Sequence, residues 1–78
     1  MIIDPHYPHI VLKCPYREFT IEIEQTLWND VITYVAWVNY DMGSAVAVPK
    51  AWTRAEAIRR AKQWINRKFY ESSYSPAP

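Results

Sequence analysis

The chain has 78 residues, of which 50% are hydrophobic, and a formal net charge of +1. A chain this short supports one small domain, so we expect residues 1–78 to fold as a single unit with a stability of roughly 4–12 kcal/mol. Four Trp and six Tyr exclude a disordered tail, and the near-neutral charge by itself points to no class of partner.

Cysteine usage and hydropathy indicate where the protein works. The single cysteine, Cys14, cannot form an intramolecular disulfide, which fits a reducing compartment. The longest apolar stretch, residues 31–38, is too short to span a bilayer, and the N-terminus lacks the pattern of a signal peptide. We therefore expect a soluble cytoplasmic protein that does not associate with membranes.

The first half of the chain has the pattern of strands. Two prolines in residues 1–8 predict an irregular lead-in, and residues 9–14 are a candidate strand that Pro15 and Tyr16 should end. The next stretch, REFTIEIEQ, alternates strictly between apolar residues and glutamates. It is the clearest strand in the sequence, with Phe19, Ile21, Ile23 on one face and Glu22, Glu24 among the side chains on the other.

The middle of the chain predicts two more strands. Residues 26–30, TLWND, contain turn-compatible residues and are predicted as a loop, whereas residues 31–40 are apolar on both faces, as in a central strand. A short loop over residues 41–43 contains the only glycine, Gly43, which can adopt positive φ, and it leads into the last predicted strand, SAVAV. We place the sheet within residues 9–49.

Residues 53–70 predict one helix. Thr53 is a candidate N-cap, Glu56 can reach back to the cap amide, and Trp52 can pack on Ala57. Apolar residues recur at helical spacing on one side, and residues 71–78 read as a flexible tail.

The predicted fold class is α+β, in which an antiparallel sheet of three to four strands forms a meander and one C-terminal helix packs on one face. The second sheet face is then left to solvent, to the tail or to a partner.

Nothing in the sequence predicts an enzyme. The candidates for nucleophile and base are Cys14, His6, His9 and scattered carboxylates, and a lone cysteine at a strand end is more often a small core residue. Asp4, His6 and His9 are spaced too loosely to predict a metal site. We therefore expect no catalytic residues, no metal and no cofactor.

Charge is divided along the chain. Residues 1–49 carry two bases against six acids, a balance of −4, and residues 50–78 carry seven bases against two acids, a balance of +5. The basic part falls mainly on the predicted helix, where five side chains are candidates for phosphate contacts: Arg59, Arg60, Lys62, Arg67 and Lys68. Binding of RNA or single-stranded DNA is our second hypothesis, and a solvated helix face is the alternative explanation of the same charges.

The aromatic residues favour protein binding as the leading hypothesis. Tyr34 and Tyr40 share one face of the third strand and Trp37 lies on the other, and one helix cannot cover both faces. We predict an interface with apolar anchors and orienting acids, formed by Tyr34, Trp37, Tyr40, Glu22 and Glu24. The expected role is a small adaptor or inhibitor, of the kind found in phages and mobile elements, with a protein partner and a homodimer through the sheet face.

Residues 31–67, ending in WTRAEAIRRAKQWINRK, resemble the hairpin and helix of HicB-type antitoxin domains, in which strands are followed by a helix with a T-x-x-E-A start. The resemblance implies a partial ribonuclease H-like fold and pairing with a small toxin. The same helix is similar to the last helix of double-stranded RNA-binding domains, which sits behind a three-stranded meander. That second resemblance implies RNA as a partner.

Overall fold

The computed structural model describes residues 9–71. Within this range the elements follow in the order β1 (Ile10–Tyr16), β2 (Phe19–Trp28), β3 (Val31–Tyr40), β4 (Gly43–Ala51), α1 (Arg54–Ile65) and a π-helical segment (Asn66–Glu71). The predicted lead-in, residues 1–8, lies outside the described residues. So does the predicted tail, apart from its first residue, which ends the π-helical segment.

The four strands form one antiparallel sheet in the order β1-β2-β3-β4, so each strand pairs with its neighbours along the chain. This arrangement confirms the predicted α+β fold with a meander and a C-terminal helix. It also confirms that residues 31–40 form an interior strand, because β3 lies between β2 and β4.

The β1–β2 connection differs from the prediction. Pro15 does not end the first strand, because β1 continues to Tyr16 and the turn follows at Arg17, which has a φ of 56°. A residue without an N–H is tolerated there because β1 is an edge strand.

The predicted loop over residues 26–30 is also wrong for residues 26–28. Strand β2 continues through Leu27 and Trp28, and only Asn29 and Asp30 form the turn, with φ values of 52° and 65°. Positive φ at both central residues matches the twist of a tight hairpin, and Asn and Asp tolerate this conformation best after glycine. Strand β2 therefore extends three residues further than predicted.

The β3–β4 connection agrees with its prediction in one respect. Gly43 has a φ of 144°, in the region that favours glycine, as expected. It pairs with Tyr40 across the turn, and β4 then runs to Ala51, two residues past the predicted end of the sheet.

Helix α1 lies across one face of the sheet. The buried core contains residues of β2, β3, β4 and α1: Ile21, Ile23, Ala36, Val38, Val48, Ala51, Ala57, Ala61 and Ile65. Two alanines one turn apart on α1 leave room for the helix to approach the sheet closely. The predicted apolar side of the helix is thus confirmed as the packing side.

The helical region ends in π-helical turns, which differ from the single regular helix predicted over residues 53–70. The Phe69 ring lies with its centroid 4.7 Å from that of Phe19, 5.7 Å from Tyr40 and 5.9 Å from Trp64. These aromatic residues pack against the core beyond Ala57 and Ala61, at the C-terminal end of the helical region.

Truncating the helix at its most buried large side chain should destabilise the fold. Ile65 is fully buried, so Ile65→Ala should cost about 2–5 kcal/mol of unfolding free energy. Ile32→Ala makes the same change at a side chain that is half exposed, and it should cost less than about 1 kcal/mol. Urea unfolding followed by tryptophan fluorescence measures both. Equal losses would contradict the packing of α1 on the sheet.

Candidate functional site

One face of the sheet has no described element over it. We call this the open face, and strand register places on it alternate residues of β2, β3 and β4: Thr20, Glu22, Glu24, Val35, Trp37, Asn39, Ser44 and Val46. Helix α1 occupies the opposite face. Within residues 9–71 the fold therefore leaves this face without a covering element.

Trp37 lies at the middle of the open face and is held in place by its polar edge. Its Nε1–H donates to Glu24 Oε1 at 2.9 Å, and the register sets it opposite Glu22 on β2 and Val46 on β4. Trp37 is half-buried and its N–H is satisfied, so the part of the ring that meets solvent is apolar. Glu24 thus holds the indole of Trp37 in one orientation, and the same hydrogen bond engages its carboxylate.

The second acid of the open face is paired with the edge strand. Glu22 Oε2 lies 3.6 Å from Lys13 Nζ of β1, across the strand pair that joins the two residues. Both side chains keep contact with solvent, so the pair adds little to stability but fixes where the charges of the face sit. A depression of ≈ 200 Å³ lies beside Trp37, with Ile10 and Ser44 at its borders.

The predicted interface residues are divided by the sheet. Trp37, Glu22 and Glu24 come together on the open face, whereas Tyr34 and Tyr40 lie on the face that α1 covers. Tyr40 packs against the aromatic cluster at the end of the core, and the Arg54 guanidinium carbon lies 5.7 Å from the centroid of the Tyr34 ring. Both tyrosines therefore pack partly against the core, on the sheet face opposite Trp37.

The end of the β2–β3 hairpin carries exposed apolar residues, of which Leu27 and Trp28 were predicted to lie in a loop. We call this surface the hairpin end, and it consists of Leu27, Trp28, Val31 and Ile32, together with Trp52 beside it. Leu27 is 68% exposed, and Trp52 is 53% exposed. A signal for the longer strand was present, because Leu27 keeps the spacing of Ile21 and Ile23 and a two-residue Asn-Asp turn follows Trp28.

A lysine joins the two tryptophans of this end of the molecule. Lys50 Nζ lies 3.5 Å from the centroid of the Trp28 ring and 5.3 Å from that of Trp52, and the two rings meet edge to face at 6.2 Å. A cation on an aromatic face contributes about 0.5–1 kcal/mol at exposed sites. Trp52 takes part in this cluster, and its predicted packing on Ala57 stays a prediction.

Hydrogen bonds at the start of α1 hold the segment that carries Trp52. Thr53 Oγ1 accepts a hydrogen bond from the Glu56 N–H at 3.0 Å, which confirms Thr53 as the N-cap. The Glu56 carboxylate reaches back one residue further than predicted, to the Trp52 N–H at 2.8 Å. This backbone hydrogen bond, helped by Arg60, lowers the pKa of Glu56.

Arg60 ties the same junction to β4. Its Nη1 donates to the Lys50 carbonyl oxygen at 2.9 Å and lies 3.4 Å from Glu56 Oε2. One of the five predicted phosphate-binding residues is therefore already engaged by the fold.

The other candidate bases lie on two sides of the helical region. Arg59 and Lys62 border the β1 side, where Lys62 Nζ lies 5.2 Å from the centroid of the Tyr16 ring. Arg67 and Lys68 border the β4 side with Arg60, and Lys68 Nζ lies 5.7 Å from the centroid of the Trp64 ring. The five bases thus form two separate flanks and not one continuous stripe.

The residues considered for catalysis or metal binding are not brought together in the described part of the chain. Cys14 packs against the core from β1, and His9 is exposed beside Gln25 at the far end of that strand. Asp4 and His6 lie outside the described residues. Between residues 9 and 71 no three His, Cys, Asp or Glu side chains form a group that suits a metal ion.

Comparison of the chain with protein-family models, with curated proteins and with solved structures finds no match. In the described range no helix has the length and apolar character needed to cross a membrane.

The contact between Glu56 and the Trp52 amide should make stability depend on pH. Because folding lowers the pKa of Glu56, its ionised form contributes stability above the ordinary glutamate pKa of about 4.3, and this contribution is lost as the pH falls through the lower folded value. The parent should therefore resist urea better than Glu56→Gln near neutral pH, and the two curves should converge in acid, as the pH falls through the lowered pKa of Glu56. Glu18→Gln, at an exposed turn position, is the matched control and should follow the parent throughout. A difference that persists in acid would exclude an ionic origin.

Proposed function

We propose that this chain is a small non-enzymatic protein-binding module of adaptor or inhibitor type, and that the open face is its docking surface. The observation that carries this proposal is that Trp37 lies on a sheet face with no described element over it, its N–H already satisfied by Glu24. Tryptophan is the side chain that most often dominates interface energy.

The size of the open face suits a protein partner. Strands about 4.8 Å apart and sheet lengths of about 30 Å give roughly 600 Å² per copy, close to what each side of a standard interface buries. Interfaces commonly combine apolar area with charged side chains. Here Trp37 and Val46 supply apolar area on β3 and β4, Lys13 lies on the edge strand β1, and Glu22 lies between Lys13 and Trp37.

In the isolated protein we propose that the open face pairs with a second copy. A face that carries both acids and a base can be self-complementary across a two-fold axis, which is the commonest symmetry of homodimers. The resemblance to HicB-type antitoxins is part of the same proposal, because pairing with a small toxin is also protein binding. A cytoplasmic location and an origin in a phage or mobile element remain predictions from the sequence.

Nucleic-acid binding through the helix is less well supported by the geometry. The bases are divided between two flanks, and Arg60 is engaged by Glu56 and the Lys50 carbonyl. Continuous phosphate tracking by one strand of RNA or DNA needs the charges along one path.

Trp37→Ala tests the docking surface. Light scattering of the parent should give the mass of a dimer at moderate protein concentration, and the variant should be mostly monomer, with a dissociation constant at least about tenfold higher. Met42→Ala removes another exposed apolar side chain, in the β3–β4 turn away from the open face, and should leave the dimer intact. Unchanged thermal unfolding of both variants establishes that they are folded.

A variant that dimerises as well as the parent would mean that the open face is the wrong surface. The same instrument tests the alternative when a single-stranded oligonucleotide and a duplex RNA are added. A mass shift that disappears with salt and is abolished by Arg60→Glu with Arg67→Glu would assign the function to the helix.

A further inference from the structure

A groove lies beside the helix, on the sheet face that α1 packs on. It has a volume of ≈ 550 Å³ and runs between β1 and the helical region. Its lining includes Tyr16 of β1 and one stripe of residues at helical spacing: Ala55, Ile58, Arg59, Lys62 and Asn66. We call it the β1 groove.

The β1 groove exists because α1 lies off the centre of the sheet. The helix packs mainly on β3 and β4, and less on β2. The outer strands of a four-stranded sheet lie about 14 Å apart, whereas packed helices lie about 8–10 Å from each other. One face of such a sheet can therefore carry two helices side by side, and α1 with its π-helical continuation takes one of these places. The space above β1 has the width of the other.

Strand β1 turns an apolar side towards this space. Leu12 pairs with the fully buried Ile23, so the register puts Leu12 on the sheet face that α1 packs on. Cys14 lies two residues further along on the same face, and Leu12 is 36% exposed. On the helical wall of the groove, Ile58 is half-buried. An occupant would therefore cover apolar side chains of both the strand and the helix.

The charged side chains of the groove are both cationic. Arg59 and Lys62 line it, and no acidic residue does. No carboxylate of residues 9–71 forms an ion pair with either of them. The Lys62 ammonium lies 5.2 Å from the centroid of the Tyr16 ring, and the Glu56 carboxylate is engaged by Arg60 and a backbone N–H. The groove therefore favours an occupant that carries carboxylates.

The surroundings disfavour an added strand and a second copy of α1 as the occupant. β1 is an edge strand, but Pro15 has no N–H and the register shifts between Ile10 and Leu12, so regular pairing with a further strand is blocked. A second copy of α1 would bring Arg59 of one copy close to Lys62 of the other, and like charges repel.

The lining also suits a protein better than a nucleic acid. Tyr16 is half-buried and its hydroxyl donates to Asn66 Oδ1 at 2.9 Å, so its ring is not an open platform for a base. The side chains of Ala55 and Ile58, which begin the stripe, offer no donor to a phosphate. Apolar residues followed by cations match a helix that carries acids beside its own apolar stripe.

We propose that the β1 groove binds an acidic amphipathic helix of a protein partner. The partner helix lies beside α1, with its apolar stripe on Leu12 and Ile58 and its acids towards Arg59 and Lys62. Because the groove and the open face are on opposite sides of the sheet, both can be occupied at once. This second surface goes beyond the proposed dimer and does not depend on it.

The test is fluorescence anisotropy with a labelled synthetic helix of about four turns, in which leucines recur at three- and four-residue spacing and glutamates flank them. Saturable binding is expected at about 0.15 M salt, weakened at least about tenfold by Arg59→Glu. The matched control is Arg67→Glu, the same change at an exposed residue on the β4 side. It should alter affinity by less than about twofold, because salt limits the reach of a surface charge to about 8 Å.

Two further variants separate the parts of the surface. Leu12→Ala should weaken binding at least about threefold, and an unchanged affinity would exclude β1 from the contact. Trp37→Ala should bind the probe as the parent does, so a failure here is distinguishable from a failure of the open face. Unchanged thermal unfolding establishes that each variant is folded.

Altered probes test the nature of the ligand without touching the protein. Lysine in place of the glutamates should abolish binding, and a proline at the centre of the probe should do the same because it breaks the helix. Equal binding by the proline probe would contradict a helical ligand. Absence of saturable binding, or equal losses from Arg59→Glu and Arg67→Glu, would overturn the site. Binding of a labelled single-stranded oligonucleotide that Arg59→Glu abolishes, with no binding of the acidic helix, would replace it with nucleic-acid binding.

Discussion

The architecture depends on one limit, which is that a single helix can cover only one face of a four-stranded sheet. The apolar side of α1 presents Ala57, Ala61 and Ile65, and all three are fully buried against the strands. No equivalent layer exists for the other face within residues 9–71. The division between a structural face and an available face therefore follows from the number of elements, before any particular side chain is considered.

The junction between β4 and α1 links this packing to the exposed surfaces. Between Lys50 and Arg60 the chain ends β4, positions Trp52 and caps α1. Side-chain contacts join these three parts. Arg60 holds the Lys50 carbonyl, the Lys50 ammonium lies on Trp28, and the Trp52 amide is held by Glu56. A short segment thus sets the position of the helix and of the apolar hairpin end together.

Much of the fold could be predicted from the sequence because its signals are local. Alternation in REFTIEIEQ identified the faces of β2, and the spacing of Thr53 and Glu56 identified the helix start. The errors arose where tertiary position overrides a local preference. Pro15 is a strand breaker in isolation but is accommodated at the sheet edge, and Trp28 reads as part of a loop because two turn-forming residues follow it.

The candidate site could be predicted only in part, for the same reason. Alternation separates Trp37 from Tyr34 and Tyr40, but only the position of α1 decides which face remains open. The groove of ≈ 540 Å³ beside β4 is not visible in the sequence, because it joins Ala47 and Val48 of the strand to Trp64, Arg67 and other residues of the helical region. Charge at helical spacing indicated the bases, but not their division between two flanks.

The order of pairing has a consequence for how the chain acquires its structure. Every strand pairs with the strand before or after it, so the sheet can zip up from contacts that are close in sequence, a topology that favours fast folding. The hydrogen bond from the Tyr16 hydroxyl to Asn66 Oδ1, at 2.9 Å, joins residues 50 positions apart, and it can form only after the helical region docks. During synthesis the helix emerges after the sheet, and until it docks both faces of the sheet are equally bare. Until the helix docks, the apolar residues of the future core are exposed together with the open face, and exposed apolar surface of this kind makes a folding chain prone to aggregation.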